Sequence, residues 1–250
     1  MNGADYLLGA EALALHGERV ALICGGEQIT YTELAARVRR ASGALAALGV
    51  EPGDRVMLLM RDTPDLAAAW LGCLWHGAVA IAGCAPGRLP SWNEKIMNAA
   101  PAPAPFAANP EDAAFWLYSS GTTGRPKGII HTHKDVLPAG QTLRDTIALA
   151  PGDKVIATSR LFFAYGLENG LLGPLSIGAT SVLCADWSDV ERVCALVAEH
   201  RPSGFFSVPS FYRRLLALGE RALAPFGRCA TFSPLASDFP SPSSNSGGAR

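Results

Sequence analysis

Short apolar runs alternate with segments of helical apolar spacing along the first part of the chain. Residues 19–24 form an apolar run, and Gly25-Gly26 separates them from Gln28–Tyr31, so the pattern predicts a β-hairpin. A helix is predicted next, because Thr30 and Glu33 have the spacing of a capping box. The apolar residues that follow recur at helical intervals until Gly49: Leu34, Val38, Ala41, Leu45 and Leu48.

The same order of strand and helix continues towards the C-terminus. A turn at Pro52-Gly53-Asp54 precedes a predicted strand at Arg55–Met60, and Thr63-Pro64 opens another helix. Further strands are predicted at 154–158, 180–184 and 205–208. Helices are predicted over 164–175 and 209–218, and another is predicted to begin after Ser188, an N-cap with Glu191 three residues on. This alternation predicts an α/β fold with largely parallel sheets flanked by helices.

Two stretches differ in composition and suggest how the chain is divided. Residues 84–112 are rich in Pro and Ala and are predicted to be a linker between an α/β subdomain at 1–83 and an α/β region at 113–228. Residues 229–250 become rich in Ser, Pro and Gly. We expect this tail to be disordered and hypothesise that it results from a frameshift or a truncated gene.

Composition narrows the possible partners. The chain has 250 residues, 49% of them hydrophobic, and a formal net charge of −1, which gives no electrostatic reason to expect nucleic acid or an anionic membrane as a partner. The six cysteines lack paired spacing and the N-terminus lacks a basic region, so a cytoplasmic protein is expected. The apolar stretch 70–84 is short and interrupted by His76, which favours a core helix over a membrane span.

Residues 118–128, with the sequence YSSGTTGRPKG, carry the clearest chemistry. Glycines allow close approach of the backbone and positive φ, while hydroxyls and Lys127 add donors and charge, a combination that suits a polyphosphate. The segment is not a P-loop, because Gly128 rather than Ser or Thr follows the lysine. A nucleotide-binding loop is therefore predicted.

This string resembles the phosphate-binding signature of the adenylate-forming superfamily of acyl-CoA ligases and adenylation domains. The resemblance implies an incomplete N-terminal domain of that fold, with ATP, Mg²⁺ and coenzyme A as cofactors and no protein metal site. The residues implied in nucleotide binding are Ser119, Ser120, Gly121, Thr122, Thr123, Gly124, Lys127 and Gly128.

The segment 160–167, RLFFAYGL, resembles the benzoate-CoA ligase branch. The resemblance implies an ATP-dependent acid-thiol ligase that joins an aromatic carboxylate to CoA through an acyl-adenylate, with a substrate pocket formed by Phe163, Ala164, Tyr165 and Gly166. Glu168 stands where relatives have a small residue, and two alternatives are open: its charge beside the pocket alters ring specificity, or its side chain faces solvent, which we favour.

Other parts of the family pattern are not found, so the chain resembles a fragment. No Tyr-Gly-x-Thr-Glu segment occurs, and no residue is assigned as catalytic because the adenylation lysine is absent. Relatives also carry a further strand–helix–strand unit near residues 84–110. Activity of this chain is therefore expected to be impaired, and the alternatives are a non-catalytic nucleotide-binding remnant or interaction module, or another acyl-CoA synthetase or adenylation domain.

His131 and His133 raise the possibility of a metal pair, but no Cys or carboxylate cluster completes a site in the sequence. A role in positioning the segment after the loop is favoured for these two histidines.

Overall fold

Two β-sheets organise the fold in the computed structural model, which describes residues 1–83, 98–119, 126–186 and 189–231. The strands are β1 Val20–Cys24, β2 Glu27–Thr30, β3 Arg55–Leu59, β4 Val79–Gly83, β5 Ala113–Ser119, β6 Lys127–Thr132, β7 Lys154–Ala157, β8 Thr180–Val182, β9 Gly204–Phe206 and β10 Ala230–Thr231.

The first sheet has six strands in the order β10-β9-β7-β8-β1-β2, and the second has four in the order β3-β4-β5-β6. Neighbouring strands are parallel except in the hairpins β1–β2 and β5–β6. The predicted α/β fold with largely parallel sheets is confirmed. Each sheet takes strands from both sides of residues 84–112, and the segment boundaries drawn from composition stay a prediction.

Ten α-helices are assigned among the described residues: α1 Gly3–Leu8, α2 Ala10–His16, α3 Tyr31–Ala47, α4 Pro64–His76, α5 Gln141–Ile147, α6 Ala164–Leu167, α7 Gly173–Ile177, α8 Val190–His200, α9 Pro209–Leu216 and α10 Glu220–Leu223. A π-helical turn, Glu168–Leu172, joins α6 to α7. Short 3₁₀ helices lie at His133–Val136 and Ala224–Arg228. No helix in the described part of the chain combines the length and apolarity needed to cross a membrane.

Local sequence explains where the helices begin. Thr30 accepts a hydrogen bond from the backbone N–H of Glu33 at 3.2 Å, and the Glu33 carboxylate accepts one from Thr30 N–H at 2.8 Å, so the predicted capping box is confirmed. At α8 the cap is Asp189, whose carboxylate accepts from Arg192 N–H at 2.6 Å. The predicted cap, Ser188, lies outside the described residues, and its neighbour supplies the same chemistry.

Helices α3 and α4 pack closely in the largest hydrophobic cluster. A Cβ on Gly72 would lie 2.6 Å from Ala41 Cβ, so the glycine permits the close approach of the two helices. The described part of the predicted linker packs along the same pair: Ala102 N–H donates to Arg39 O at 2.9 Å and Phe106 N–H to Trp75 O at 2.8 Å. Residues 84–97 and the predicted tail from 232 onwards lie outside the described residues.

Candidate functional site

The β5–β6 hairpin holds the two ends of the predicted nucleotide loop. Ser119 ends β5 and pairs with Lys127, which begins β6, and both side chains are exposed. Lys127 takes part in none of the ion pairs found among the described residues, so its ammonium group is available to an anion. The other predicted loop residues, Ser120, Gly121, Thr122, Thr123 and Gly124, lie outside the described part of the chain.

Gly128 lies within β6 rather than in the loop. It pairs with Tyr118 and is not among the glycines with positive φ, so the left-handed conformation expected from the sequence is not used. A Cβ at this position would lie 3.5 Å from the rings of Trp116 and Tyr118. Gly128 therefore contributes strand pairing beside these rings on one face of the hairpin.

The opposite face of the hairpin connects Ser119 and Lys127 to a cavity. Phe115, Leu117 and Ser119 alternate along β5, so their side chains lie on one face. The register pairs Phe115 with His131 and Ser119 with Lys127, which places these partners on that face too. The phosphate-loop end and the buried aromatic end are thus two parts of one continuous surface.

The cavity beside this face has a volume of about 280 Å³. Its lining comprises Phe115, Leu117, His131, Asp135, Pro138, Ala139, Gln141, Thr142, Ala164, Leu167, Glu168 and Leu172. The Phe115 and His131 rings stack with centroids 4.7 Å apart and planes 5° apart. His131 Nδ1 lies 3.5 Å from Asp135 Oδ2. The cavity therefore combines a mainly apolar wall with a few polar groups, as small-molecule sites do.

Of the four predicted pocket residues, Ala164 lines this cavity. Phe163 is 53% exposed and packs on Phe162 with ring centroids 4.4 Å apart. Tyr165 is half-buried; its pKa is raised by burial and further by the nearby Glu168 carboxylate. The cavity lining thus includes Ala164 but not Phe163, Tyr165 or Gly166.

Gly166 allows the first turn of α6 to pack on the preceding backbone. A Cβ at Gly166 would lie 2.2 Å from Arg160 O and 2.5 Å from Ser159 O, closer than any side-chain carbon can approach. Gly166 thereby holds the first turn of α6, which begins at Ala164, against the backbone of Ser159 and Arg160.

A buried ion pair anchors the segment that precedes α6. Arg160 Nη1 lies 3.4 Å from Asp62 Oδ2 and donates to Cys184 O at 3.0 Å. Burial raises the pKa of Asp62, while the positive charge of Arg160 opposes this rise. Leu161 N–H also donates to the Asp62 carboxylate, so the start of the α6 segment is tied to the loop after β3.

The two histidines after the loop have separate contacts. His133 is buried and its Nδ1 accepts a hydrogen bond from Gly3 N–H at 3.0 Å, which joins the 3₁₀ helix to α1. Burial lowers the pKa of His133 and favours this neutral form. Among the described residues no group of three or more His, Cys, Asp or Glu side chains is placed to hold a metal ion.

The sequence did not identify Phe115, Leu117 or His131 as part of the cavity. The i, i+2 spacing of Phe115 and Leu117 on β5 was a usable signal, but the position of His131 depends on the register of the hairpin. Glu168 was expected to face solvent; it is exposed and also lines the cavity.

The chain is similar to known sequences and solved structures of one family. The family described as AMP-binding enzyme matches residues 10–83 and 82–232. A 3-hydroxybenzoate–CoA/4-hydroxybenzoate–CoA ligase from Thauera aromatica is 38% identical, with 88% of this chain and 51% of the relative covered. A benzoate–CoA ligase from the same organism is 33% identical over 86% of this chain and 50% of the relative.

A solved structure of a benzoate CoA ligase from Burkholderia xenovorans LB400 superposes with a TM-score of 0.80 at 32% identity, covering 89% of this chain and 54% of that one. The anthranilate CoA ligase AuaEII, solved with anthranoyl-AMP, gives a TM-score of 0.79 at 25% identity, covering 88% and 52%.

The chain spans about half the length of the curated relatives it matches. The match to the hydroxybenzoate ligase extends over 269 positions, more than the 250 residues of this chain, so the relative carries residues that this chain lacks within the matched region. The two matched family segments meet at residues 82–83, beside the shortened stretch expected from the sequence. From the fold, the hairpin and these matches, the chain belongs to the AMP-binding enzyme family.

Proposed function

We propose that this chain is a homologue of ATP-dependent aryl-carboxylate CoA ligases that binds a benzoate-like acid in the cavity and the phosphates of ATP at the end of the β5–β6 hairpin. The observation that carries the proposal is the shared face of the hairpin: Leu117 lines the cavity, and Ser119 follows two residues later. At the rise of an extended strand this separation is about 7 Å. A ring beside Leu117 would thus present its carboxylate towards the phosphates.

The proposed chemistry has two half-reactions. A carboxylate oxygen of the acid attacks the α-phosphorus of ATP, the bond to pyrophosphate breaks, and an acyl-adenylate forms. The CoA thiol then attacks the acyl carbon, and AMP leaves as the thiol proton is released. These are the cofactors expected from the resemblance.

The residues of this chain act by positioning and by charge. The Lys127 ammonium and the Ser119 hydroxyl, with the predicted loop residues 120–124, would hold the phosphates and stabilise the negative charge of the departing pyrophosphate. Mg²⁺, where bound, would be held through the phosphate oxygens and would neutralise part of their charge. Aromatic packing on Phe115 and apolar contact with Ala164 would orient the ring.

The resemblance implies further residues for the complete reaction, and these 250 residues contain no Tyr-Gly-x-Thr-Glu segment and no counterpart of the adenylation lysine. We propose that binding is retained while turnover is impaired. A nucleotide-binding module without ligase activity is the alternative that the exposed Lys127 and Ser119 also support.

Benzoate-dependent ATP–pyrophosphate exchange tests the proposal on the purified 250-residue chain, with calorimetry of ATP and benzoate binding alongside it. Lys127→Ala should weaken ATP binding and remove any exchange, whereas Lys134→Ala, which removes an exposed lysine paired with Glu111, serves as the matched control. A long-chain fatty acid should fail to replace benzoate. Binding of ATP without binding of benzoate would support the nucleotide-binding alternative, and binding of neither by folded protein would overturn both.

A further inference from the structure

Glu168 introduces a charge into the wall of the cavity. It belongs to the π-helical turn after α6, and its neighbours on the cavity wall, Leu167 and Leu172, are apolar. The second carboxylate of the lining, Asp135, is already engaged, because it lies beside His131 and accepts from Thr132 N–H at 2.8 Å. None of the ion pairs found among the described residues involves Glu168, and its carboxylate accepts none of their side-chain hydrogen bonds. Of the two carboxylates in the lining, Glu168 is therefore the one that is free to meet a ligand.

The position of Glu168 relative to Ala164 indicates which part of a ligand the carboxylate can reach. The two residues are four apart in a continuous helical segment, and residues with that spacing lie on neighbouring positions of one face. Both line the cavity. A ring that packs against Ala164 would consequently have the Glu168 carboxylate within reach of its substituents.

Charge fixes which end of an aromatic acid approaches Glu168. Two carboxylates repel each other at short range, so the carboxylate of the ligand is disfavoured beside Glu168. The positive charge of Lys127 lies outside the cavity lining, on the residue that pairs with Ser119, two positions beyond Leu117. The ligand carboxylate is thus directed towards Lys127, and ring positions remote from it are directed towards Glu168.

We infer that Glu168 is a specificity-determining residue that selects aromatic carboxylates bearing a hydrogen-bond donor, a hydroxyl or amino group, on the ring. This inference rests on the proposed function, because it requires an aromatic acid in the cavity. A hydroxyl substituent donates a hydrogen bond to the Glu168 carboxylate. A methyl group of similar size displaces water from that carboxylate and offers it no hydrogen bond in return.

Equilibrium titration calorimetry with matched ligands tests the inference. The ligands are benzoate, 3- and 4-hydroxybenzoate, and 3- and 4-methylbenzoate, which replace the donor by an apolar group of similar size. A hydrogen bond to a charged group changes affinity by on the order of 10- to 100-fold. At least one hydroxybenzoate should bind more tightly than its methyl counterpart by a factor in this range.

Substitutions of Glu168 test whether its carboxylate causes that preference. Glu168→Ala should abolish most of this preference, so that the hydroxyl compound and its methyl counterpart bind with affinities within about threefold of each other, a difference of less than ~1 kcal/mol. Glu168→Gln, which retains a neutral acceptor, should keep part of the preference. Glu191→Ala on α8 is the matched control, since it removes an exposed glutamate that does not line the cavity.

The outcomes separate this inference from the proposed function. Tight binding of aromatic acids with no preference for the hydroxyl compound, or a preference that persists in Glu168→Ala, would overturn the inference and leave the proposed function standing. Failure of every aromatic acid to bind the folded wild-type chain would overturn both. Circular dichroism of each variant establishes that it is folded.

Discussion

The two sheets differ in how completely their apolar residues are covered. In the six-stranded sheet, Phe205 and Phe206 of β9 are fully buried, and β8 is buried along its length. In the four-stranded sheet, Met57 of β3 is 56% exposed and Ile130 of β6 is 58% exposed. Because burial of apolar area is the main stabilising contribution, substitutions in β8 and β9 should cost more stability than substitutions on the exposed face of β3 and β6. That exposed face of the four-stranded sheet should tolerate more change.

The largest expected effect is at Phe205, which contacts the rings of Phe211 and Phe226. Phe205→Ala should lower the free energy of unfolding by about 3–5 kcal/mol, because it removes a buried ring and leaves a cavity. Urea denaturation followed by circular dichroism measures this. Phe163→Ala removes the same group from an exposed position and is the control; equal losses in the two variants would contradict the comparison.

A smaller loss is expected at Tyr31, which joins α3 to the six-stranded sheet. Its hydroxyl is buried and donates to Ala179 O at 2.7 Å, just before β8. Tyr31→Phe leaves that buried carbonyl with one donor fewer and should cost about 1–3 kcal/mol. Tyr6→Phe, at a side chain on the surface, should change the unfolding free energy much less. Thermal denaturation that fails to distinguish the two variants would show that the hydroxyl contributes little.

The four-stranded sheet should respond to pH through His133, in the 3₁₀ helix after β6. Its pKa is lowered from 6.5 by burial, so the folded state binds fewer protons than the unfolded state between the two values. Stability should therefore fall as pH decreases below about 7. His16, whose pKa is also lowered by burial, contributes with the same sign. Urea midpoints between pH 5 and 8 measure the slope, which should become shallower in His133→Ala; an unchanged slope would exclude His133 as a source.

The smallest effect is expected at the exposed face of β6, and one substitution made in both sheets tests the comparison directly. Ile130→Thr should change the unfolding free energy by no more than about 0.5 kcal/mol, as surface substitutions usually do. The same change at Ile156, which is 1% exposed in β7, should be clearly destabilising. A large loss at Ile130 would show that its face is covered in solution.

Elements with local signals were predictable from the sequence, whereas the assignment of strands to sheets was not. The α3 cap needs two residues three apart, and Pro64 lies in the first turn of α4, where its missing N–H costs nothing. Nothing local indicates that β1 lies beside β8 while β4 lies beside β5. That choice depends on side chains far apart in sequence and on which faces they cover.

The candidate site likewise has one part that local motifs indicate and another that depends on residues far apart in sequence. Ser119, Lys127 and Ala164 were named from motifs in the sequence, and their roles in binding stay predictions. The stacking of Phe115 on His131 requires the register of two strands, which residue types alone do not fix. Glu168 was expected to face solvent, and its place in the cavity wall depends on how α6 and the π-helical turn pack beside the hairpin.

The pairing of β1 with β8 also constrains the order of events during synthesis. Thr180 Oγ1 donates to Val20 O across 160 positions of sequence, next to the parallel pairing of Leu22 with Ser181. At ribosomal rates of ~5–20 residues per second, the β1–β2 hairpin would emerge roughly 8–30 s before its partner strand. Until then β1 has no parallel neighbour, so the nascent chain passes through an interval in which this strand edge is unpaired and open to aggregation.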